Sequence, residues 1–230
     1  MHFSHSDEVW RDFPELVPGV LWTEGITATA MVDAQLEQFH ATARSRLAAG
    51  AESELPEIAA WRRIFSRMGL KPTQYRCASE ALLRRFRKEN ALPRIHPLID
   101  LCNAVSLAFA IPVAVFDLAK VDGHLEVRHA AGNETYLAFS GETEIPEPRE
   151  VIFADAAARA HARRWTNRQS ALSAVRAETA TVLIVVEAMH ATAVTDVRNL
   201  LAALAQAVGT ISSAAPRTAL LDRSAPRFDF

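Results

Sequence analysis

The sequence predicts a mixed α+β fold, because apolar residues at helical spacing dominate residues 33–110 and short apolar or alternating runs dominate residues 113–187. The chain has 230 residues, of which 50% are hydrophobic and 23% charged. That composition supports a core of ordinary size and differs from that of a disordered chain. We expect one domain over residues 1–211, with an acidic helical part (1–60), and a peripheral tail over residues 212–230.

The first half of the chain contains one strand region and a series of helices. The alternating apolar residues of 19–30 predict one or two strands. Four helical patterns follow, and each is bounded by residues that favour helix ends. They run over 33–49, 55–68, 79–89 and 97–110, and the residues that stop them are Gly50, Gly69, Asn90 and Pro112.

The second half is richer in strands. Residues 125–129 and 135–139 flank Gly132-Asn133, a typical turn pair, and therefore predict a hairpin. Residues 182–186 are a continuous β-branched and apolar run, which is typical of a strand buried on both faces. Apolar residues at helical spacing over 197–208 predict a last helix that ends at Gly209.

Positive charge is concentrated in residues 62–94, which carry +8, while the rest of the chain carries −10. One interpretation is a face that binds phosphate groups through side chains such as Arg84, Arg85, Arg87 and Lys88. The other is a solvated helix surface whose arginines pair with acids elsewhere in the fold. The charge pattern alone favours the second interpretation.

The absence of several sequence motifs excludes some kinds of functional site and some cellular locations. Two cysteines cannot build a disulfide framework, and the chain contains neither a signal-peptide pattern nor an apolar run of membrane-spanning length. We expect a cytoplasmic protein. The sequence contains no glycine-rich phosphate loop, no metal-ligand spacing and no nucleophile elbow. We therefore expect no cofactor and no metal, and an enzyme of this kind would position water rather than attack through a side chain.

Three sequence blocks carry a family resemblance over about residues 65–190. They are R-I-H-P-L-I-D-L-C-N-A-V-S-L (94–107), I-P-V-A-V-F-D (111–117), and a series from Val127-Arg128 through Gly132-Asn133-Glu134, Leu137 and Gly141 to V-I-F-A-D (151–155). In this order and spacing they resemble the B3/B4 domain of the bacterial phenylalanyl-tRNA synthetase β-subunit. That domain has comparable P-[IL]-V-D-[IV]-T-N, Q-P-x-H-A-F-D and R-x-A-x-x-G-E…L-x-G…V-I-A-D segments.

The resemblance implies a fold and an activity. The fold is a three-layer α/β arrangement that contains an unusual β-sandwich. In the synthetase this domain is the editing site, which hydrolyses tyrosine wrongly attached to the phenylalanine tRNA. Asn103 and Asp117 match the family pattern, which implies that they organise a loop and a helix, and Arg128, Glu134 and Gly141 also match it. The family's pocket histidine is replaced here by Ala114.

A pocket is expected where residues 163–170, R-R-W-T-N-R-Q-S, replace the family's G-x-M-G-G-x-x-S segment. We expect Trp165 to stack on a base or an aromatic side chain, and Asn167 and Gln169 to position the water or the amino group. Ala114 and Glu134 complete the predicted pocket. The alternative interpretation is a half-buried tryptophan that anchors a turn, with Asn167 as a helix N-cap.

Two functional hypotheses follow from the resemblance. The first is a tRNA-binding, trans-acting editing hydrolase that deacylates a mischarged or non-standard aminoacyl-tRNA. The second is a non-catalytic module that binds tRNA or a free amino acid, for example an aromatic one, and the replacement by Ala114 favours it. An interaction protein is a third hypothesis, supported only by the acidic residues 1–60. We expect tRNA or aminoacyl-tRNA as the partner, no membrane and no obligate protein partner.

Overall fold

Two β-sheets packed face to face form the centre of the protein in a computed structural model that describes all 230 residues. The strands are β1 (His2–His5), β2 (Val17–Glu24), β3 (Val113–Asp117), β4 (Leu125–His129), β5 (Tyr136–Leu137), β6 (Thr143–Glu144), β7 (Val151–Asp155), β8 (Ala160–Arg163), β9 (Arg168–Gln169), β10 (Thr181–Ala188), β11 (Arg217–Leu220) and β12 (Arg227–Asp229). The helices are α1 (Asp7–Asp12), α2 (Asp33–Ala49), α3 (Pro56–Arg67), α4 (Ala78–Glu89), α5 (Pro97–Phe109) and α6 (Ala193–Val208).

The smaller sheet has four antiparallel strands in the order β11-β2-β10-β3. Its central strand β10 is buried on both faces, as the sequence predicts for residues 182–186. Ile184 packs in the cluster beneath the helices, whereas Leu183 and Val185 pack in the cluster between the two sheets. This division follows from the two-residue period of a strand.

The larger sheet has six strands in the order β12-β1-β4-β7-β8-β9. Strand β1 pairs in parallel with β4 and antiparallel with β12. Aromatic rings fill the space between the sheets, since the ring of Phe153 lies 6.1 Å from that of Phe3 and 5.1 Å from that of Phe116.

Helices α2, α5 and α6 form the third layer, and they share one apolar cluster with the outer face of the smaller sheet. Helix α3 inserts its apolar face, including Trp61 and Phe65, into the cluster between the sheets. The order of layers is therefore helix, sheet, sheet. The α+β class that the sequence predicts is confirmed.

The two ends of the chain differ from the sequence prediction. Residues 212–230 are not a peripheral tail, because β11 pairs with β2 and β12 pairs with β1, so this segment forms an edge of both sheets. Residues 1–60 are likewise not only helical, since β2 overlaps the strand region predicted for residues 19–30 and β1 is a further strand that was not predicted. Strands of three or four residues are too short to show a period in the sequence, and their partners define them.

The predicted hairpin around Gly132-Asn133 is also corrected. Strand β4 pairs antiparallel with β7, in the register Leu125 to Asp155, and β5 pairs instead with β6. Residues 130–135 form a loop that leads the chain away from β4. Gly132-Asn133 therefore does lie between two strands, but these strands belong to different sheets and are joined by a loop.

Both cysteines are buried free thiols. Burial raises the pKa of Cys77 to about 11, and it also raises the pKa of Cys102. Since the thiolate is the reactive form, neither residue is an activated nucleophile. None of the six helices has the length and apolar character needed to cross a membrane.

Candidate functional site

A small cavity opens between the two sheets, where the end of β10 meets the β8–β9 hairpin. Its volume is about 60 Å³, and its wall includes Ala114, Trp165, Thr166, Asn167, Gln169 and Glu187. A water occupies roughly 10 to 15 Å³ on this scale, so the space admits a few waters or one small functional group. Four of the residues expected in the pocket from the sequence thus meet around one cavity, although β3 and the β8–β9 hairpin are far apart in sequence.

The turn between β8 and β9 positions these side chains. Arg164 and Trp165 both adopt left-handed backbone conformations, with φ angles of 48° and 56°. Such a conformation costs about 1 to 3 kcal/mol for a residue other than glycine, so the surrounding contacts must hold it. The turn directs the ring of Trp165 inward and leaves Arg164 half-buried at the surface.

Trp165 belongs to the core. Its side chain has no exposed surface, and its ring packs edge-on against Phe13 at 4.7 Å and Trp61 at 5.2 Å. Its indole N–H donates to the carboxylate of Glu187, with the nitrogen 3.0 Å from both oxygens. The expectation that Trp165 stacks on a base is therefore corrected, because the side chain has no exposed surface.

Asn167 and Gln169 are half-buried and face the cavity with part of their amides already engaged. The amide nitrogen of Asn167 donates to the Arg76 carbonyl at 2.8 Å, and that of Gln169 donates to the Val115 carbonyl. Neither amide oxygen is hydrogen-bonded within the chain. These oxygens can accept hydrogen bonds from a water or an ammonium group while the nitrogens fix their orientation.

Glu187 is the residue that the sequence reasoning missed. Its side chain is 2% exposed, and one carboxylate oxygen lies 2.7 Å from Nε2 of His5. It occupies the same face of β10 as Leu183 and Val185, which places its carboxylate inside the sandwich. The signal was present in the sequence, because an acid interrupts an apolar run over residues 182–189. A buried acid on a core face is rare without a specific partner.

Glu134, in contrast, lies outside the cavity. Its buried carboxylate accepts hydrogen bonds from the N–H groups of Ala131 and Gly132, each at 3.0 Å, and from the Arg128 guanidinium. Burial by itself would raise the pKa, but the hydrogen bonds from Ala131 and Arg128 outweigh it and lower the pKa of Glu134 to about 2. Glu134 therefore organises the loop after β4.

Glu134→Gln is expected to remove a pH-dependent part of the stability. Because the folded-state pKa of about 2 lies below the usual 4.5, the carboxylate stabilises the fold fully above pH 4.5, and this contribution is lost as the pH falls through 2. A shift of this size corresponds to about 3 kcal/mol. Denaturant unfolding at a series of pH values should show wild type and variant converging toward pH 2. A difference that stays constant with pH would contradict this role.

The basic segment is partly neutralised by acids from outside it, because contacts to Glu15, Asp33, Glu52 and Asp100 reduce its charge from +8 to +4. Arg84 and Arg87 both contact the carboxylate of Glu52, and Arg85 pairs with Glu89. All the other arginines of residues 62–94 except Arg63 also have carboxylate partners. This agrees with the interpretation in which the arginines pair elsewhere in the fold. The cations of this segment without a carboxylate partner are Arg63, Lys71 and Lys88.

A group of three potential metal ligands occurs elsewhere, at the start of α6. Glu57, His190 and Asp196 each offer a ligand atom within 4.8 Å of the others. The Arg46 guanidinium, however, makes two hydrogen bonds to Glu57, at 2.7 and 2.8 Å. His190 in turn contacts Asp196 at 2.8 Å. Arg46 therefore neutralises Glu57 while His190 holds Asp196, and the cluster links α2, α3 and α6.

Similarity to known proteins lies in one domain family. The family model of the B3/4 domain matches residues 60–208. The beta subunit of phenylalanine–tRNA ligase from Chromobacterium violaceum is 34% identical over 75 residues, which cover 33% of this chain and 10% of that subunit. The corresponding subunit from Shewanella oneidensis is 32% identical over 101 residues, or 44% of this chain and 13% of the subunit.

The alignment thus spans only about a tenth of the length of these curated relatives. Among solved structures, an N-terminal fragment of the phenylalanyl-tRNA synthetase beta subunit from Pyrococcus horikoshii matches with a TM-score of 0.49 and 10% sequence identity. That match covers 94% of this chain and 49% of the other.

Proposed function

This chain belongs to the B3/4 domain family. From that membership we propose that the protein binds tRNA and, acting in trans, hydrolyses the ester of a mischarged or non-standard aminoacyl-tRNA. The names of its relatives connect this domain with a subunit that acts on tRNA. The reaction proposed here is ester hydrolysis alone.

The observation that carries the proposal is the meeting of Ala114, Asn167, Gln169 and Glu187 around one small cavity. Its volume of about 60 Å³ suits a polar group and a water, with the rest of the substrate outside the opening. The free amide oxygens of Asn167 and Gln169 orient the water or the substrate amino group. The carboxylate of Glu187 accepts a hydrogen bond from a hydroxyl or ammonium group.

The proposed hydrolysis requires only a few groups from the protein. An aminoacyl ester is already activated, so hydrolysis requires a positioned water and polar groups that are fixed before the substrate arrives. Anchoring of both amides to backbone carbonyls provides that fixed geometry. No nucleophilic side chain is needed, and the two buried thiols supply none.

For the tRNA backbone we propose contact through the exposed side of α4, where Arg85 and Lys88 lie. Arg84 and Arg87 were expected at the same interface; they share the single carboxylate of Glu52 and so keep one positive charge, as Arg85 and Lys88 do beside Glu89. Affinity for tRNA should fall as salt rises, because phosphate contacts release counterions.

A panel of mischarged tRNAs tests the function. At least one aminoacyl ester is expected to be hydrolysed about tenfold or more faster with the protein than without it, an effect of roughly 1.4 kcal/mol on the barrier. The double variant Asn167→Ala, Gln169→Ala should abolish that acceleration, and the exposed Glu178→Gln serves as a matched control that retains it. Release of the amino acid from labelled aminoacyl-tRNA is the measurement.

The second candidate function is a non-catalytic module that holds tRNA or a free amino acid. It is favoured by Ala114, which offers no proton-transfer group at the position where the family pattern has a histidine. This module would bind members of the panel without accelerating their hydrolysis. A protein that neither binds nor hydrolyses any of them would contradict both proposals.

A further inference from the structure

A second, larger cleft lies on the other side of Trp165. Its volume is about 530 Å³, within the range of roughly 300 to 1,000 Å³ that holds small-molecule ligands. Phe13 in its wall packs against Trp165 at 4.7 Å, while Trp165 itself lines the smaller cavity. The two spaces share no lining residue.

Two arginines in the wall of this cleft are backed by aromatic rings. The Arg67 guanidinium lies 5.1 Å from the ring centre of Phe13, and that of Arg164 lies 5.0 Å from the ring centre of Tyr75. Such contacts hold a guanidinium plane in place. Nucleobases stack on guanidinium planes as well as on aromatic rings. The cleft therefore offers a prepared surface for a planar, ring-shaped ligand.

The cleft also carries unused positive charge. The side chains of Arg149 and Arg164 make no hydrogen bond within the chain. The lining carboxylates of Asp12 and Glu150 already accept hydrogen bonds from arginines. Of the acids in the wall only Glu147 has no partner. Glu147 can balance one of the two free arginines, so one positive charge remains uncompensated. Guanidinium groups bind phosphate oxygens through paired hydrogen bonds, which makes a phosphate the anion that fits.

The positive surface continues beyond the cleft. Arg67 also borders an open groove of about 520 Å³ that contains no hydrophobic residue. The other residues of this groove are Arg62, Arg63, Ser66, Pro72 and Thr73. Since Arg63 has no carboxylate partner, the groove suits a further phosphate next to the one in the cleft. A base beside two neighbouring phosphates is the pattern of a nucleic acid strand.

We propose that this cleft binds a nucleotide, with its base against the guanidinium planes of Arg67 and Arg164 and its phosphate held by Arg149 and Arg164. The same chemistry is presented by a free nucleotide and by one unit of a single-stranded RNA. Neither of these ligands requires hydrolysis at the smaller cavity, so the nucleotide site can be tested independently of the proposed reaction.

Calorimetric titration with adenosine monophosphate, adenosine, inorganic phosphate and a short single-stranded RNA tests the site. The monophosphate is expected to bind more tightly than adenosine or phosphate, because only it engages both parts of the cleft. Arg149→Gln and Arg164→Gln should each weaken its binding about tenfold, the loss expected for one charge-assisted contact. Arg198→Gln, an exposed arginine on α6 that also lacks a partner, is the matched control and should change nothing.

The same titrations distinguish a free nucleotide from one unit of an RNA strand as the ligand. Binding of the RNA but not of the free monophosphate, weakened by Arg164→Gln, would support the site as one for a strand. The site would be overturned if neither ligand bound, or if both bound equally well to the two arginine variants. Inorganic phosphate as tight as the monophosphate would overturn the role of the base. Tyr75→Phe should keep the affinity and Tyr75→Leu lose it, provided that both variants melt like wild type.

Discussion

Trp165→Ala is expected to lower the free energy of unfolding by about 3 to 5 kcal/mol, the usual cost of removing a large aromatic side chain from a core. The ring is fully buried and packs against Phe13 and Trp61. Its loss also deprives the buried Glu187 carboxylate of the indole donor. Thermal and denaturant unfolding measure the effect, which is a large fraction of the roughly 5 to 15 kcal/mol by which an ordinary domain is stable.

Two further tryptophan variants separate packing from hydrogen bonding. Trp165→Phe keeps most of the ring volume but removes the donor, and it should cost about 1 to 3 kcal/mol because Glu187 stays buried. Trp22→Ala is the control, since Trp22 is only partly buried and should lose less. If Trp165→Ala unfolded like wild type and instead weakened ligand binding, the ring would be a surface platform and its place in the core would be refuted.

Glu187→Gln is expected to lower kcat/KM for the best ester substrate by about 10- to 100-fold, since a hydrogen bond to a charged group contributes roughly 1.5 to 3 kcal/mol. The amide has the same shape, and its oxygen can accept from both Trp165 and His5, so the fold should be retained, at reduced stability because the NH2 group replaces the second oxygen beside the indole N–H. Its charge, however, is gone, and the cavity then offers a weaker acceptor to a substrate hydroxyl or ammonium group. Deacylation kinetics on the purified variant, beside its melting temperature, provide the measurement.

The control for this variant is Glu178→Gln, an exposed acid remote from the cavity. A substrate that lacks the polar group reaching Glu187 should be hydrolysed by wild type and Glu187→Gln at nearly equal rates. Unchanged kinetics for every substrate would remove Glu187 from the site. A variant that has lost both activity and its melting transition would assign Glu187 to the core instead.

The sequence predicted much of the secondary structure from local periodicity. The run over residues 182–186 predicted β10, and apolar spacing predicted α3, α5 and α6 close to their observed bounds. The resemblance placed Ala114 near Asn167 and Gln169, and these residues do line one cavity. The resemblance did not show whether the ring of Trp165 faces a ligand or the core, because an aromatic residue beside arginines is compatible with both positions.

Tertiary structure alone decided the contacts that join distant parts of the chain. His5 and Glu187 are 182 residues apart and meet only because both sheets bring their inner faces together. The pairing of β4 with β7, the edge strands β11 and β12, and the partners of Arg84 and Arg87 were decided in the same way. Local periodicity specifies which face of a segment is buried, whereas the identity of its neighbours depends on the packing of the whole chain.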